Sequence, residues 1–246
     1  MAAPAIWIVV GASRGIGLEW VRQLLARGDH VLATVRDVAK ASRLWTLAGS
    51  AAMGRCQLFE CDVASEASIN NFAREVAALR NIDRIDYVIL NAGILQYPNR
   101  ATELSFDNFS DHLRTNAVGP IITAQRLLHT GIPIGSIAFM SSDSGSATDF
   151  RDFEDGFAAY AASKAALNQM LRHMASELAR KRYITTILAM HPGEVATDMA
   201  NVSLGWEVEG IINADESVAG MLRVVEQKTI LDTGTFWTWE GNRHPW

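Results

Sequence analysis

Short runs of consecutive apolar residues alternate along this chain with longer stretches whose apolar positions recur at helical spacing. Residues 6–10, 31–35, 56–60, 85–90, 136–140, 185–190 and 234–237 have the length and composition of strands. Leu18, Val21, Leu24 and Leu25 mark one face of a helix over 17–27, with Gly28 where a left-handed C-cap belongs. Similar patterns predict helices over 38–47, from an N-cap at Ser65 to about Leu79, and over 106–128, 159–180 and 216–226. Strands that are apolar along their whole length and separated by helices predict a parallel sheet covered on both faces. Right-handed crossovers then give a doubly wound α/β fold of seven parallel strands. No repeat, low-complexity stretch or Pro/Gly-rich linker marks a second domain, so residues 1–246 read as one.

The first strand–helix junction carries chemistry. Gly11-Ala12-Ser13-Arg14-Gly15-Ile16-Gly17 joins the two elements. Its glycines permit a tight turn and let an anion approach the free N–H groups at a helix N-terminus, where the dipole favours negative charge. A dinucleotide pyrophosphate is the expected ligand, although the spacing is G-x-x-x-G-x-G and not the commoner G-x-G-x-x-G. Arg36 follows the second strand. In dinucleotide folds an acidic side chain there binds the ribose 2′-OH, whereas an arginine accommodates a 2′-phosphate. Arg36, with Arg14 as a second guanidinium, therefore favours NADP(H) over NAD(H). Asp37 keeps the other reading open, because a one-residue shift of the strand end would bring its carboxylate to the ribose.

Composition narrows the picture. The chain of 246 residues is 49% hydrophobic and 20% charged, too apolar for a disordered protein. A net charge of -5 without a long basic run argues against nucleic acid as a partner. No apolar run approaches the ~18–20 residues of a membrane span. The apolar segment 5–10 has no basic region before it and runs straight into the glycine turn, as a first strand does and a signal peptide does not. Cys56 and Cys61 lie near one strand on opposite faces, a poor disulfide and a poor metal pair. The six histidines lack metal-ligand spacing, so no metal is expected. These features predict a soluble, cytoplasmic protein of one domain.

Five further segments follow in order: Asp62-Val63 after the third strand, Asn91-Ala92-Gly93 after the fourth, Asn116 in Thr115-Asn116-Ala117-Val118-Gly119-Pro120, Ser142 with Gly145 three residues on, and Tyr160-x-x-x-Lys164. His191-Pro192-Gly193-Glu194-Val195-Ala196-Thr197 completes the series. With the glycine turn, this order resembles the short-chain dehydrogenase/reductase family over nearly the whole chain. The resemblance implies a Rossmann fold, with Gly11, Ser13, Arg14, Gly15, Ile16, Gly17, Arg36, Asp62, Val63, Asn91, Ala92, Gly93, Tyr160, Lys164, Pro192, Gly193, Val195 and Thr197 around the cofactor. It also implies a catalytic set of Asn116, Ser142, Tyr160 and Lys164, with Lys164 on the nicotinamide ribose and Asn116 holding a water in a proton relay.

The chemistry suits these residue types. A free tyrosine titrates near pH 10 and is a weak base and slow acid at neutrality. Residues i and i+4 share a helix face, so the Lys164 ammonium is expected beside the Tyr160 phenol, lowering its pKa towards the working range. Ser142 would orient a substrate carbonyl. The chain departs from the family in Val10 and Leu90, which replace a usual Thr and Asn, and in a long Ser142-to-Tyr160 segment. That segment carries Asp149, Asp152, Glu154 and Asp155 and reads either as a solvated loop or as a lid favouring a basic or polyhydroxylated substrate. Together with the ending Glu240 to Trp246 it is similar to the C-factor and Sniffer-like carbonyl reductase branch. The implied reaction is NADPH-dependent reduction of a ketone or aldehyde, or its reverse. An NAD-linked alcohol dehydrogenase and an NADP-sensing regulator with little turnover are the rival readings. Residues 198–212 are expected to form a substrate lid, with Met199, Val202, Leu204, Trp206, Val208 and Ile211 either lining a pocket or packing on the sheet. By analogy with the family, the two long central helices would join a homodimer or homotetramer.

Overall fold

The structure, a computed structural model, describes residues 3–52, 54–199 and 208–246. Seven parallel strands form one sheet: β1 (Ile6–Val10), β2 (His30–Val35), β3 (Cys56–Glu60), β4 (Ile85–Leu90), β5 (Ile134–Met140), β6 (Thr186–His191) and β7 (Thr235–Thr238). Their order is β3-β2-β1-β4-β5-β6-β7. The order reverses between β1 and β4, which places a crevice beyond the carboxyl ends of these two strands.

Alternation along each strand divides the apolar residues between two cores. Ile8 and Val10 face one layer with Phe72, Leu127, Leu167 and Leu171, which belong to α3 (Glu66–Ala77), α5 (Gly119–Leu128) and α6 (Ala158–Arg180). Trp7 and Val9 face the other with Trp20, Leu44 and Val218, from α1 (Gly15–Arg27), α2 (Ser42–Ser50) and α7 (Ala214–Gln227). Trp7 is fully buried and stacks on Tyr87 at 4.1 Å. Both cysteines are free, and burial pushes their thiols up to about 11 at Cys56 and about 12 at Cys61. Among the described residues, no helix is long and apolar enough to cross a membrane.

Two predicted helices differ. The stretch 38–47 opens as a single 3-10 turn, Val38–Lys40, because the Asp37 side chain accepts the Ala39 N–H and caps it; α2 follows. The long helix expected over 106–128 is interrupted. After α4 (Phe106–Leu113) comes a π turn, Arg114–Val118, in which Gly119 N–H donates to the Arg114 carbonyl. Pro120 supplies the cause, since it has no N–H for the carbonyl four residues back and its ring crowds that carbonyl. The residue four back is Asn116.

Candidate active site

The crevice at the switch point gathers the motif residues. Gly11 to Gly17 wraps from β1 into α1, and Ser13 and Arg14 are exposed at its tip. Gly17 is required by packing, since a Cβ there would lie 2.0 Å from the Gly11 carbonyl oxygen and 2.6 Å from Asn91 Nδ2. Asn91 Nδ2 donates to the same carbonyl at 3.0 Å, tying the end of β4 to the turn. No side chain caps α1, which leaves its first N–H groups open to an anion. Ile16, Pro192, Gly193, Val195 and Thr197 line the same cleft, whose volume is about 940 Å³. Asp62 turns its carboxylate back to the Ala64 N–H, and Val63 is buried where α5 crosses.

At the end of β2, Arg36 is exposed and makes no hydrogen bond or ion pair among the described residues. Asp37, the competing ribose ligand, caps the following turn and pairs with Lys40 at 2.9 Å. Arg14 lies 3.5 Å from Asp198 across an exposed ion pair. The expectation that it is a free second cation is thereby modified, because it starts from a carboxylate partner.

Ser142 and Tyr160 line the cleft, and Lys164 and Asn116 are buried behind it. Ser142 follows β5; its hydroxyl donates to Asp143 Oδ1 at 3.1 Å and is near enough to the Tyr160 phenol to oppose the rise in its pKa. Gly145 explains the Ser-x-x-Gly spacing. A Cβ there would sit 2.6 Å from Lys164 Cβ, so glycine is what lets α6 approach the end of β5. Asn168, also on α6, ties the same segment by accepting from Ser141 Oγ and donating to the Gly145 carbonyl. The buried Lys164 Nζ donates to the Met140 carbonyl at 2.8 Å and lies 5.5 Å from the Tyr160 ring centre. A side chain at Gly93 would point at Asn116 Oδ1 and Lys164 Nζ, so this glycine keeps the space between them open.

Asn116 departs from the simple expectation. Its amide is fully used: Oδ1 accepts the Ile94 N–H at 2.8 Å, and Nδ2 donates to the Ile94 carbonyl and to Ser163 Oγ. The side chain therefore positions backbone, and Pro120 deprives the Asn116 main-chain carbonyl of the usual α-helical donor.

The acid–base electrostatics also differ from expectation. Burial pushes the Tyr160 phenol up to about 12, with the Ser142 hydrogen bond opposing and the Glu194 and Glu154 carboxylates adding to the rise. Burial draws Lys164 down to about 8. The neighbouring lysine alone does not acidify the phenol, because loss of hydration outweighs it. His191 is held neutral, pushed down to about 3 mainly by burial, with Arg151 adding to the fall; its Nδ1 accepts the Asp143 N–H.

Two groups escaped the sequence reading. Asn99, buried, holds the start of α6, its Oδ1 accepting the N–H groups of Ala159 at 2.7 Å and Tyr160 at 3.2 Å. Arg151, from the long loop, bonds Asp143, reaches Glu194 at 3.4 Å and pairs with Glu154 at 3.0 Å. Arg151 and Glu154 thus turn into the wall of the cleft, whereas Asp149, Asp152 and Asp155 of the same loop are exposed. Of the expected lid residues, Met199, Val208 and Ile211 line the cleft, while Val202, Leu204 and Trp206 lie outside the described residues.

The model of the short chain dehydrogenase family matches residues 5–207. The chain belongs to that family. Like other short chain dehydrogenases it is an oxidoreductase. An uncharacterized oxidoreductase of Schizosaccharomyces pombe is 33% identical over 256 residues, covering 98% of this chain and 97% of that protein. Among solved structures, the NADPH-bound carbonyl reductase from chicken fatty liver superposes with a TM-score of 0.87 at 30% identity, over 100% of both chains. The carbonyl reductase Sniffer of D. melanogaster gives a TM-score of 0.84 at 25% identity, again over 100% of both.

Proposed function

We propose that this short chain dehydrogenase is an NADPH-dependent reductase of ketones or aldehydes, with Tyr160 as the proton donor. The observation that carries the reading is the placing of Tyr160 and Ser142 in one cleft with Ile16 of the glycine turn, and of the buried Lys164 Nζ 5.5 Å from the Tyr160 ring centre. The likeness to a carbonyl reductase with NADPH bound supports it.

The residues present fit that cofactor. The uncapped N-terminus of α1 would take the pyrophosphate, and the unpaired Arg36 the 2′-phosphate, with Asp37 already occupied by its cap. Asp62 and Val63 would border the adenine, and Gly93 with Lys164 the nicotinamide ribose. When bound, the cofactor supplies the hydride. The protein supplies position and a proton. Ser142 holds the carbonyl oxygen, and Tyr160 delivers its proton to that oxygen as negative charge develops there. With its pKa raised to about 12, the phenol is protonated at neutral pH and ready to donate. Lys164 stabilises the phenolate left behind, and a water on the Asn116 carbonyl would restore the proton.

The test follows NADPH oxidation against aldehydes, ketones and quinones, with Tyr160→Phe alongside. Turnover in the wild type that collapses in the variant while NADPH still binds is the expected result. Equal turnover in the two would remove Tyr160 from the mechanism.

A further inference from the structure

The segment between Ser142 and Tyr160 carries Arg151 and Glu154 into the wall of the cleft, where they meet Asp143 and Glu194. The carboxylate oxygens of Asp143, Glu154 and Glu194 lie within 4.8 Å of one another, and a single guanidinium serves all three. Two more carboxylates, Asp198 and Glu209, line the same cleft. His191 adds no positive charge, because it is held neutral, and the Lys164 ammonium is turned to the Met140 carbonyl. Arg14 balances Asp198 only weakly across an exposed pair. Among the described residues the cleft lining therefore carries an excess of negative charge. Its remaining wall is apolar, with Leu95, Phe157, Val208 and Ile211.

We infer that the cleft selects carbonyl compounds with an apolar body and a cationic amine over those carrying a carboxylate, Glu194 and Glu154 being the side chains that read the charge. This rests on the reductase reading above. An ammonium entering beside Glu194 would complete the cluster, bringing a second cation to three carboxylates that share one. A substrate carboxylate would meet Glu194 and Glu154, which share one guanidinium with Asp143, and Glu194 is a group whose ionisation burial already opposes. Arg151 is not free to receive it without leaving Asp143 and Glu154. The same field already acts on the reacting group, since Glu194 and Glu154 both oppose ionisation of Tyr160.

The experiment uses three phenyl ketones with identical alkyl arms ending in a primary amine, a hydroxyl or a carboxylate. Initial rates of NADPH oxidation are measured for wild type, E154Q, E194Q and the double variant. For the wild type, kcat/KM for the amine should exceed that for the carboxylate by about tenfold or more at low salt, and the ratio should shrink as salt rises. The double variant should bring the ratio close to one. Equal values in the wild type, or a preference for the carboxylate, would overturn the inference; the latter would mean that Arg151 receives the anion. Calorimetric titration of the NADPH complex with the same ketones separates the two readings. Selective binding of the amine without turnover would uphold the charge selection and overturn the reductase reading. Turnover without charge preference would overturn the selection alone, and neither binding nor turnover would overturn both.

Discussion

Replacing Asn99 with alanine tests whether α6 is held in place from sixty residues away. The side chain is buried, accepts the N–H groups of Ala159 and Tyr160, and donates Nδ2 to the Gln96 carbonyl at 2.6 Å. Phe157, next to the helix start, makes no side-chain cap, so Asn99 is the cap of α6 although it lies far off in sequence. Ala159 N–H keeps a second, longer acceptor in the Asn99 main-chain carbonyl at 3.4 Å, whereas Tyr160 N–H loses its acceptor with the side chain. Loss of a cap costs about 0.5–2 kcal/mol, and leaving the Gln96 carbonyl without its donor adds about 1 kcal/mol. The sum of about 1.5–3 kcal/mol corresponds to a fall in Tm of roughly 3–12 °C for a chain of this length. Urea unfolding followed by tryptophan fluorescence reads the stability. Because the freed backbone is that of Tyr160 itself, kcat for carbonyl reduction should fall by about tenfold or more with NADPH affinity retained. A destabilisation below about 0.5 kcal/mol, or an unchanged kcat, would refute the view that Asn99 fixes the phenol through α6.

Arg36→Asp should reverse cofactor preference, weakening NADPH by at least tenfold in Kd while improving NADH, as read by cofactor fluorescence; retained NADPH preference would remove Arg36 from the 2′-phosphate. Gly145→Ala should destabilise the protein by about 1–3 kcal/mol, because the added methyl must displace α6 at Lys164, and thermal melting checks it. In the pH profile of carbonyl reduction, Tyr160 keeps its proton well above neutrality, so its ionisation sets no limb in the neutral range. Lys164, drawn down to about 8, loses its positive charge as pH rises through that value, so kcat/KM should decline there. A profile flat to pH 9.5 would refute that assignment. Glu194→Gln removes a charge that opposes Tyr160 ionisation, so the reverse alcohol oxidation, which needs the phenolate, should reach half-maximal rate at lower pH than in wild type.

The strand runs and the glycine turn were legible because local rules govern them: apolar runs bounded by turns make buried strands, and the crowding at Gly17 excludes any side chain. The Ser142-x-x-Gly145 spacing was visible as a pattern, while its cause, contact with Lys164 on a distant helix, was not. Pro120 stood within the quoted Asn116 segment and carried the signal for the π turn, since the proline rule applied to residue 116 breaks the predicted long helix. Asn99 and Arg151 gave no such signal. An asparagine capping a helix sixty positions on, and an arginine paired across a loop to Glu194, are defined only once the sheet has brought the ends of β4, β5 and β6 together.

The phenol's protonation shows most clearly what spacing alone conveys. Counting the lysine four residues on, the sequence reading made Tyr160 acidic; the fold adds burial and two carboxylates, and the balance reverses. The reversal is chemically coherent for a reductase. A proton donor must hold its proton until charge appears on the substrate oxygen, and a site poised as phenolate would suit oxidation of an alcohol instead. The carboxylates from the long loop and from Glu194 thus act twice. They add to the burial that raises the Tyr160 pKa, and on the proposed reading they also meet the incoming substrate. If the charge-selection experiment succeeds, the loop before α6 and the turn after β6 together link the protonation of Tyr160 to the kind of molecule admitted.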